Sequence, residues 1–441
     1  MAKRIVIRDI LTLTLDQNDR IGRYSIVIQD GAIDSVSPTT VASRPEDILI
    51  DGTHKIALPG FVNGHVHGDV LLARGLGDGL TLHEQQLSPR VGQRQWFRKE
   101  LTPEARRLGR TLQYAEALKG GTTFLCDFLF WLDDGDDVGG PFVDVGIKGA
   151  IAFDYRKDFL TGVLRGVEEI EAIGSAIRRC GITPLLQGPS EESFDKEGLM
   201  KLKSTAERLS LPIQLHLAET RYRSNLIKEK FGATPVAFLR EIGFLDRNVI
   251  GSHGVFVDRD LEDLSSSGTP IINSPTAEMK IADGAAPVAA MLSQGVTVGL
   301  GTDGALWNDS SDMFREMKCL VLLQRLINGA SALTAQQALR AATIEGARAF
   351  GVDRYYGSIE KGKRANVVLV DALKSHLVPL YAGVQSNVRE NIVSCATAGD
   401  VDTVLVDGQI VVEGGKLTRL DEDALVAEAQ DVGASIFAGL T

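Results

Sequence analysis

Short apolar runs separated by amphipathic helical stretches dominate the chain from about residue 58 to 356. Helical periodicity fills most of the gaps between the runs, and Thr102 followed by Pro103 marks the start of one helix. Eight runs have the length and composition of buried strands: 58–66, Thr122–Asp127, Lys148–Asp154, Ile182–Gln187, Ile213–Leu217, Val249–His253, Pro270–Asn273 and Thr297–Gly301. Eight such units predict a (β/α)8 TIM barrel with its active site at the carboxyl ends of the strands.

The two flanks of this central region have a β-rich pattern. Residues 1–57 and 357–441 contain short apolar runs separated by turns, and Asp30-Gly31 is a hairpin signal. Neither flank is long enough for a secure core alone, so we expect the two to pair into one small β-sandwich domain around a barrel of residues 58–356. A doubly wound open sheet is the alternative, but no GxGxxG motif follows the first barrel strand.

Composition and charge limit the kinds of molecule that this protein is expected to bind. The chain has 441 residues, 44% of them apolar, and a formal net charge of −11, so its surface should repel nucleic acid and anionic membranes. The N-terminus lacks a signal-peptide apolar region, and no apolar run reaches membrane-spanning length. Four scattered cysteines fit reduced thiols. We therefore expect a cytoplasmic protein that binds a small molecule.

Histidines and one aspartate stand at the ends of predicted strands. His65 and His67 form an HxH pair, which places both imidazoles on one face of a strand. His216, His253 and Asp303 end three other apolar runs. Singly, His216 and His253 are better explained as structural residues, and Asp303 as a helix N-cap. Jointly they predict one metal site, because imidazole and carboxylate are ligands that suit zinc or ferrous iron.

Glu219 is the candidate for proton transfer. It follows His216 by three residues, just beyond a strand end, where a carboxylate can stand beside a metal without ligating it. A catalytic metal ion acidifies a bound water and gives hydroxide near neutral pH, which attacks an electron-poor carbon.

These segments resemble the amidohydrolase superfamily, and within it the branch of cytosine deaminases, adenosylhomocysteine deaminases and triazine hydrolases. The resemblance extends over nearly the whole chain. The matching segments are 30–33, 59–67, 216–220, 252–254, 299–304 and 357–366.

The resemblance implies a role for each of these residues. Glu219 would shuttle protons, His253 would orient the hydroxide or the substrate, and Asp303 would also accept a proton from the water. The binuclear branches carry a bridging lysine on the fourth strand, and residues 183–189 contain none, which favours a single divalent ion, Zn²⁺ before Fe²⁺. Its ligands would be His65, His67, His216 and Asp303.

Five further residues are candidates for substrate contacts, with weaker signals. His83 and Glu84 lie in the loop that follows the first strand, and Glu84 matches a carboxylate that holds ribose hydroxyls in the nucleoside deaminases that this chain resembles; solvated loop charges are the alternative. Glu278 replaces an asparagine of that family, which disfavours a standard nucleoside; it would bind an amino or ring N–H group, or pair with Lys280. Two more candidates lie shortly after Asp303, Trp307 and Asn308, and packing at the barrel rim is the alternative for Trp307.

The sequence therefore predicts a metal-dependent aminohydrolase of an amino-substituted nitrogen heterocycle, of purine, pterin, pyrimidine or triazine type. An alternative keeps the metal site but releases an alkylamine, halide or thiolate, or cleaves an amide or urea. A non-catalytic barrel used for assembly is disfavoured because the ligand set is complete. By analogy with other large barrels, we expect a homo-oligomer, most simply a dimer.

Overall fold

The computed structural model describes residues 4–87, 100–133, 136–157, 162–383 and 385–438. Two sheets organise this part of the chain. The strands are β1 Ile5–Leu13, β2 Ile21–Gln29, β3 Ala32–Ser37, β4 Ile48–Asp51, β5 Lys55–Pro59, β6 Phe61–Val66, β7 Thr122–Phe128, β8 Lys148–Asp154, β9 Thr183–Ser190, β10 Ile213–Leu217, β11 Val249–His253, β12 Ile271–Asn273, β13 Val298–Leu300, β14 Val367–Asp371, β15 Val401–Val406, β16 Gln409–Glu413 and β17 Lys416–Leu417.

Strands β6 to β13 form a parallel barrel in chain order, which confirms the predicted (β/α)8 fold. The last strand packs beside the first, and just past its end the backbone N–H of Asp303 donates to the carbonyl of His65 over 2.8 Å. Every barrel strand is buried almost throughout, as expected where both faces of a parallel sheet are covered. All eight predicted strands are present, although the first begins at Phe61 rather than at residue 58.

The remaining nine strands form one mixed sheet that combines strands from the N-terminal and C-terminal segments. Strand β5 joins the two flanks, because it pairs with β1 in parallel and with β14 in antiparallel register. The predicted pairing of the flanks is therefore confirmed, and its hydrogen bonds run through a single continuous sheet. Asp30 and Gly31 connect β2 to β3 with φ of 52° and 78°, the left-handed pair that a tight hairpin requires.

The chain crosses from the mixed sheet to the barrel at Gly60. Leu58 and Pro59 still pair with β14, and a Cβ on Gly60 would lie 2.1 Å from Thr123 Oγ1. Only glycine fits this approach. The predicted division into domains 1–57 plus 357–441 and 58–356 stays a prediction. Helices of the C-terminal flank also pack against helices of the barrel.

Helices cover the outside of the barrel. Thr102 caps the predicted helix by accepting a hydrogen bond from Ala105 N over 3.2 Å, with Pro103 at its first position. Within the described residues, no helix combines the length and apolar character needed to cross a bilayer. The α-helices are Leu82–Leu87, Pro103–Lys119, Gly140–Val145, Val167–Arg179, Lys196–Leu209, Arg221–Phe231, Pro235–Glu241, Leu261–Ser267, Pro275–Lys280, Val288–Ser293, Met313–Asn328, Ala335–Ala341, Ile344–Ala349, Val388–Cys395 and Glu422–Phe437. Short 3-10 turns span Gly68–Ala73, Glu191–Ser193 and Ala398–Asp400.

Candidate metal and substrate site

Four histidines and one aspartate meet at the carboxyl end of the barrel, all buried. The ring centroid of His65 lies 4.7 Å from that of His67, 5.0 Å from that of His216 and 5.3 Å from that of His253. Asp303 Oδ1 lies 3.3 Å from His67 Nε2 and 3.8 Å from His65 Nε2. The structure thus brings together the five residues that the sequence singled out at separate strand ends.

The donor atoms of this cluster fit a divalent cation. Two overlapping sets have ligand atoms that all lie within 4.8 Å of one another: His65, His216 and His253, and His65, His67 and Asp303. His65 is common to both sets, and its Nε2 is buried without a hydrogen-bond partner. Such an orphaned polar atom is costly unless something binds it. Imidazole nitrogens with one carboxylate oxygen are typical ligands of zinc or ferrous iron.

The outer ring nitrogens of three histidines are tied to neighbouring strands. Backbone carbonyls only accept, so His67 and His216 must carry their proton on Nδ1 and keep the Nε2 lone pair for the centre. These bonds fix both the tautomer and the ring orientation. The pairs are His67 Nδ1 to Phe128 O at 2.6 Å, His216 Nδ1 to Pro189 O at 2.5 Å and His65 Nδ1 to Ser252 Oγ at 3.2 Å.

Burial and neighbouring charges shift the pKa values of the clustered residues in different directions. It lowers the pKa of His65 and His67 well below the usual value, reinforced by the neighbouring imidazoles, so both are neutral and able to ligate. Burial also raises the pKa of Asp303 to about 7. For His253, burial opposes the charged form, but the carboxylates of Glu219 and Glu278 outweigh it and raise the pKa to about 9.

Glu219 lies just beyond β10 and is buried. The preceding residue, Ala218, has φ of 48°, and this left-handed turn ends the strand. The Glu219 carboxylate forms an ion pair with Arg223, four residues later on the helix Arg221–Phe231, and its Oε1 lies 3.8 Å from His253 Nε2. Arg223 Nε is also 3.0 Å from Glu192 Oε1. The carboxylate is therefore held beside the histidine cluster without belonging to it.

A cavity of about 760 Å³ opens onto the cluster, a volume that suits a small-molecule site. Its wall includes His67, His216, Glu219 and Asp303. Aromatic rings form much of the remainder, namely Phe128, Phe130, Trp131, Tyr222 and Trp307.

Two of the five substrate candidates line this cavity. His83 stacks on Tyr222 with the ring centroids 5.1 Å apart. Trp307 lies edge-on to His67 at 5.2 Å. His83 belongs to the loop after β6, Tyr222 follows β10 and Trp307 follows β13.

The other three candidates are not among the lining residues, and each has a local structural partner. Glu84 Oε2 accepts hydrogen bonds from the backbone and hydroxyl of Thr81, at 2.9 and 2.7 Å, in an exposed helix cap. Asn308 Nδ2 donates to Thr302 O over 2.6 Å and to Glu316 Oε1 over 2.8 Å. Both residues brace loops near the cavity.

Glu278 lies beneath the site, behind His253. Its carboxylate accepts from Asn273 Nδ2 at 2.7 and 2.8 Å, and its Oε1 lies 3.6 Å from His253 Nδ1. Lys280 pairs instead with Asp309 at 2.5 Å. The alternative pairing of Glu278 with Lys280 is therefore not formed, and Glu278 contacts Asn273 and His253 instead.

Sequence reasoning passed over other lining residues. Phe130 stacks on His67 at 4.4 Å, Arg156 pairs with Asp154 at 2.9 Å, and Asp283 has a pKa raised to about 8 by burial and by Glu219. Phe130 follows β7, and Asp154 and Arg156 lie at and just beyond the end of β8. A systematic scan of all eight strand ends would have included Phe130 and Arg156.

A parallel barrel with a buried histidine and aspartate centre at its carboxyl end, joined to a mixed sheet from both termini, defines a class of metal-dependent hydrolases. The chain belongs to the amidohydrolase family, whose model matches residues 56–411. This confirms the family, the fold and the enzyme class expected from the sequence.

Relatives that resemble the chain over nearly its full length include deaminases. It is 33% identical to the 5-methylthioadenosine/S-adenosylhomocysteine deaminase of Carboxydothermus hydrogenoformans, over 100% of this chain and 98% of that protein. It is 32% identical to the 5'-deoxyadenosine deaminase of Methanosphaera stadtmanae, over 97% of each. A metal-dependent deaminase of an amino-substituted heterocycle agrees with these relatives.

Solved structures show the same fold. An adenosine deaminase from Xanthomonas campestris with bound zinc superposes with a TM-score of 0.88 at 24% identity, covering 98% of both chains. An atrazine chlorohydrolase from Arthrobacter aurescens complexed with zinc gives 0.86 at 21% identity, covering 97% of this chain and 100% of the other. The family's dependence on a metal thus has a matching donor set here.

Proposed function

We propose that the protein hydrolyses the exocyclic amine of an adenosine-type nucleoside and releases ammonia. The observation that carries this proposal is the buried cluster of His65, His67, His216 and Asp303 with Glu219 beside it, on the wall of one cavity. The deaminase names of the full-length relatives support the adenosine type. Glu278 does not line the cavity, so its replacement of a family asparagine carries little weight against a nucleoside.

One divalent ion would be held by His65, His67, His216 and Asp303, with Zn²⁺ favoured by the donor types and Fe²⁺ as the alternative. When bound, the ion supplies Lewis acidity that makes water nucleophilic near neutral pH. His253, with its Nε2 facing Glu219, would act on substrate or water rather than as a full ligand.

The protein's own groups then move the protons. Water adds to the ring carbon that carries the amine, and Glu219 takes a proton from the water and delivers it to the adjacent ring nitrogen. Asp303 takes the second proton, which then reaches the leaving amine through Glu219. Protonated His253 donates a hydrogen bond to the developing oxygen. Collapse of the tetrahedral carbon breaks the C–N bond, the amine leaves as ammonia after protonation, and an oxo product remains.

Aromatic side chains would position the base. Trp307 and Phe130 stand against His67, and the stacked pair of His83 and Tyr222 lies on another part of the cavity wall. Flat rings of this kind bind a planar heterocycle through stacking. We assign substrate contact to His83 and Trp307, and a positioning role to Glu84, Glu278 and Asn308.

The test combines ammonia release with metal analysis. Adenosine, 5'-deoxyadenosine and methylthioadenosine should release ammonia, faster than a pterin, a pyrimidine or a triazine, and mass spectrometry should show the oxo product. His216→Asn should lose both bound metal and turnover. His376→Asn is the matched control, because His376 is half-exposed and pairs with Asp400 at 3.0 Å in the C-terminal segment.

Two outcomes would contradict the proposal. Release of a halide or an alkylamine without ammonia would favour the alternative leaving groups. Full metal occupancy in the His216→Asn variant would remove that residue from the ligand set.

We also propose that the protein acts in the cytoplasm on a small-molecule substrate as a homo-oligomer. The net charge of −11 supports the absence of nucleic-acid and membrane partners.

A further inference from the structure

The helix Met313–Asn328, which follows the last barrel strand, is apolar on two opposite faces. One face is buried against the barrel and contains Met313, Met317, Leu320 and Val321. The other lies towards solvent and forms a stripe at three- and four-residue spacing: Cys319, Leu322, Leu323, Leu326 and Ile327. We call these five residues the outer stripe.

The outer stripe is too exposed and too regular to be scattered surface residues. Leu326 is 83% exposed, and Leu322 and Ile327 are each 56% exposed. Single exposed leucines are common on soluble proteins, but a contiguous apolar stripe usually marks an interaction site. A helix that is apolar all round is normally buried. Cys319 and Leu323 are half-buried, whereas the described residues leave Leu322, Leu326 and Ile327 exposed.

We propose that the outer stripe binds the same stripe of a second copy of this chain, with the two helices antiparallel. The two-fold axis passes between Leu322 and Leu323, so that each of these residues faces the other in the second copy. In the same register, Cys319 faces Leu326 of the second copy. A two-fold interface of this kind is self-complementary by symmetry.

Charge favours the antiparallel arrangement. Arg315 continues the outer stripe one turn before Cys319. Its side chain is 65% exposed, and its Nε lies 3.5 Å from Asp312 Oδ2. Antiparallel pairing places this guanidinium at the C-terminal end of the other helix, which ends at Gly329 and carries partial negative charge on its last carbonyls. Parallel pairing would place two Arg315 side chains and two positive helix N-termini side by side.

The neighbouring helices supply additional area. A stable interface buries about 800 Å² per partner, more than one helix stripe offers. Helices Pro275–Lys280 and Val388–Cys395 both pack on Met313–Asn328. The first exposes Met279, at 41%. Just before the second, exposed Tyr381 is bonded through its backbone to Asn387 over 2.8 Å. A two-fold axis at the middle of the central helix lets both neighbours take part.

The first test measures the mass of the full-length protein in solution by sedimentation equilibrium or light scattering. A dimer is expected, and Leu326→Glu should raise its dissociation constant at least about tenfold. Because Leu326 is exposed, the dissociated variant should still fold with a native far-UV circular dichroism spectrum, although its melting temperature should be lower because the stabilisation by association is lost. Val426→Glu is the matched control, since Val426 is 50% exposed on the separate helix Glu422–Phe437, and it should leave the dimer intact.

The second test fixes the register by cross-linking. Positions 319 and 326 are seven residues apart on one helix, about 10 Å, which is too far for a disulfide within one chain. Leu326→Cys, in a background with Cys180→Ser and Cys395→Ser, should therefore form a covalent dimer on mild oxidation. Adding Cys319→Ser should abolish it.

Several results would overturn the proposal. A native protein that is monomeric, or a dimer that resists Leu326→Glu, would show that this stripe is not the interface. A cross-link that persists after Cys319→Ser would mean that identical positions meet, which excludes the stated register.

Discussion

Hydrogen bonds to the outer ring nitrogens decide what the buried histidines can do. The carbonyls of Phe128 and Pro189 accept from Nδ1 of His67 and His216, so both rings keep the Nε2 lone pair for the histidine cluster. Glu219 and Glu278 flank His253 and favour its charged form. Chemically identical side chains thus acquire different protonation behaviour from their immediate surroundings, which is the basis for the ligand and hydrogen-bond donor roles that we propose.

At this scale, Glu219→Gln tests the proton transfer. The amide keeps the shape of the carboxylate and cannot accept a proton, so kcat should fall by about a hundredfold to ten-thousandfold. Metal content should not change, because Glu219 lies outside the ligand set. Steady-state ammonia release with elemental analysis checks both. Glu229→Gln, exposed on the same helix as Arg223, is the control, and wild-type turnover in Glu219→Gln would remove the assigned role.

The strands deliver these side chains through strained ends. Ala218, His253 and Asp303 all have positive φ, at 48°, 73° and 64°. A left-handed conformation in a non-glycine residue costs about 1–2 kcal/mol. Three such residues at the ends of β10, β11 and β13 turn the chain sharply and direct the functional groups into the mouth of the barrel.

Glu316 connects an outer helix to two of the loops at this end of the barrel. Its carboxylate accepts from Asn308 Nδ2 over 2.8 Å and from Thr276 N over 3.2 Å. Burial raises its pKa to about 8. Between its ordinary value near 4.5 and about 8, the folded protein keeps a proton that the unfolded chain releases, so stability falls as pH rises through this window.

Glu316→Gln should remove that titration. The free energy of unfolding of the variant, relative to the native protein, should rise by at least about 1 kcal/mol between about pH 5 and about pH 8, because one pKa unit is worth about 1.4 kcal/mol. Urea denaturation at both pH values measures it. Glu428→Gln is the control, because Glu428 is exposed on the helix Glu422–Phe437. Its free energy of unfolding relative to the native protein should not depend on pH. The same pH-independent result for Glu316→Gln would contradict the raised pKa of Glu316.

Across the whole molecule, the mixed sheet and the barrel are joined at a point where the main chains nearly touch. Gly60 separates β5 from β6, and its N–H donates to Asn366 O over 2.9 Å. Thr123 of β7 fills the space that a side chain on Gly60 would need. This contact joins the sheet to the barrel together with others, such as the ion pair of Lys148 with Asp407 at 3.2 Å.

Gly60→Ala should therefore destabilise both parts together. Overpacking of this kind costs about 1–3 kcal/mol, and thermal melting should remain a single transition at lower temperature. Gly433→Ala is the control: the added Cβ would meet nothing within 4 Å, and alanine within a helix should gain about 0.5–1 kcal/mol. A Gly60→Ala variant as stable as the native protein would show that the junction yields easily.

The sequence by itself determined the barrel, the pairing of the two flanks and the identity of the clustered residues His65, His67, His216, His253 and Asp303, because strand periodicity and strand-end position are local properties. It could not decide which polar residues face the cavity. Glu84, Glu278 and Asn308 carry suitable groups but are turned towards Thr81, Asn273 and Glu316, whereas Phe130 and Arg156 line the cavity. Side-chain direction in loops depends on partners distant in sequence, and only the tertiary structure supplies them.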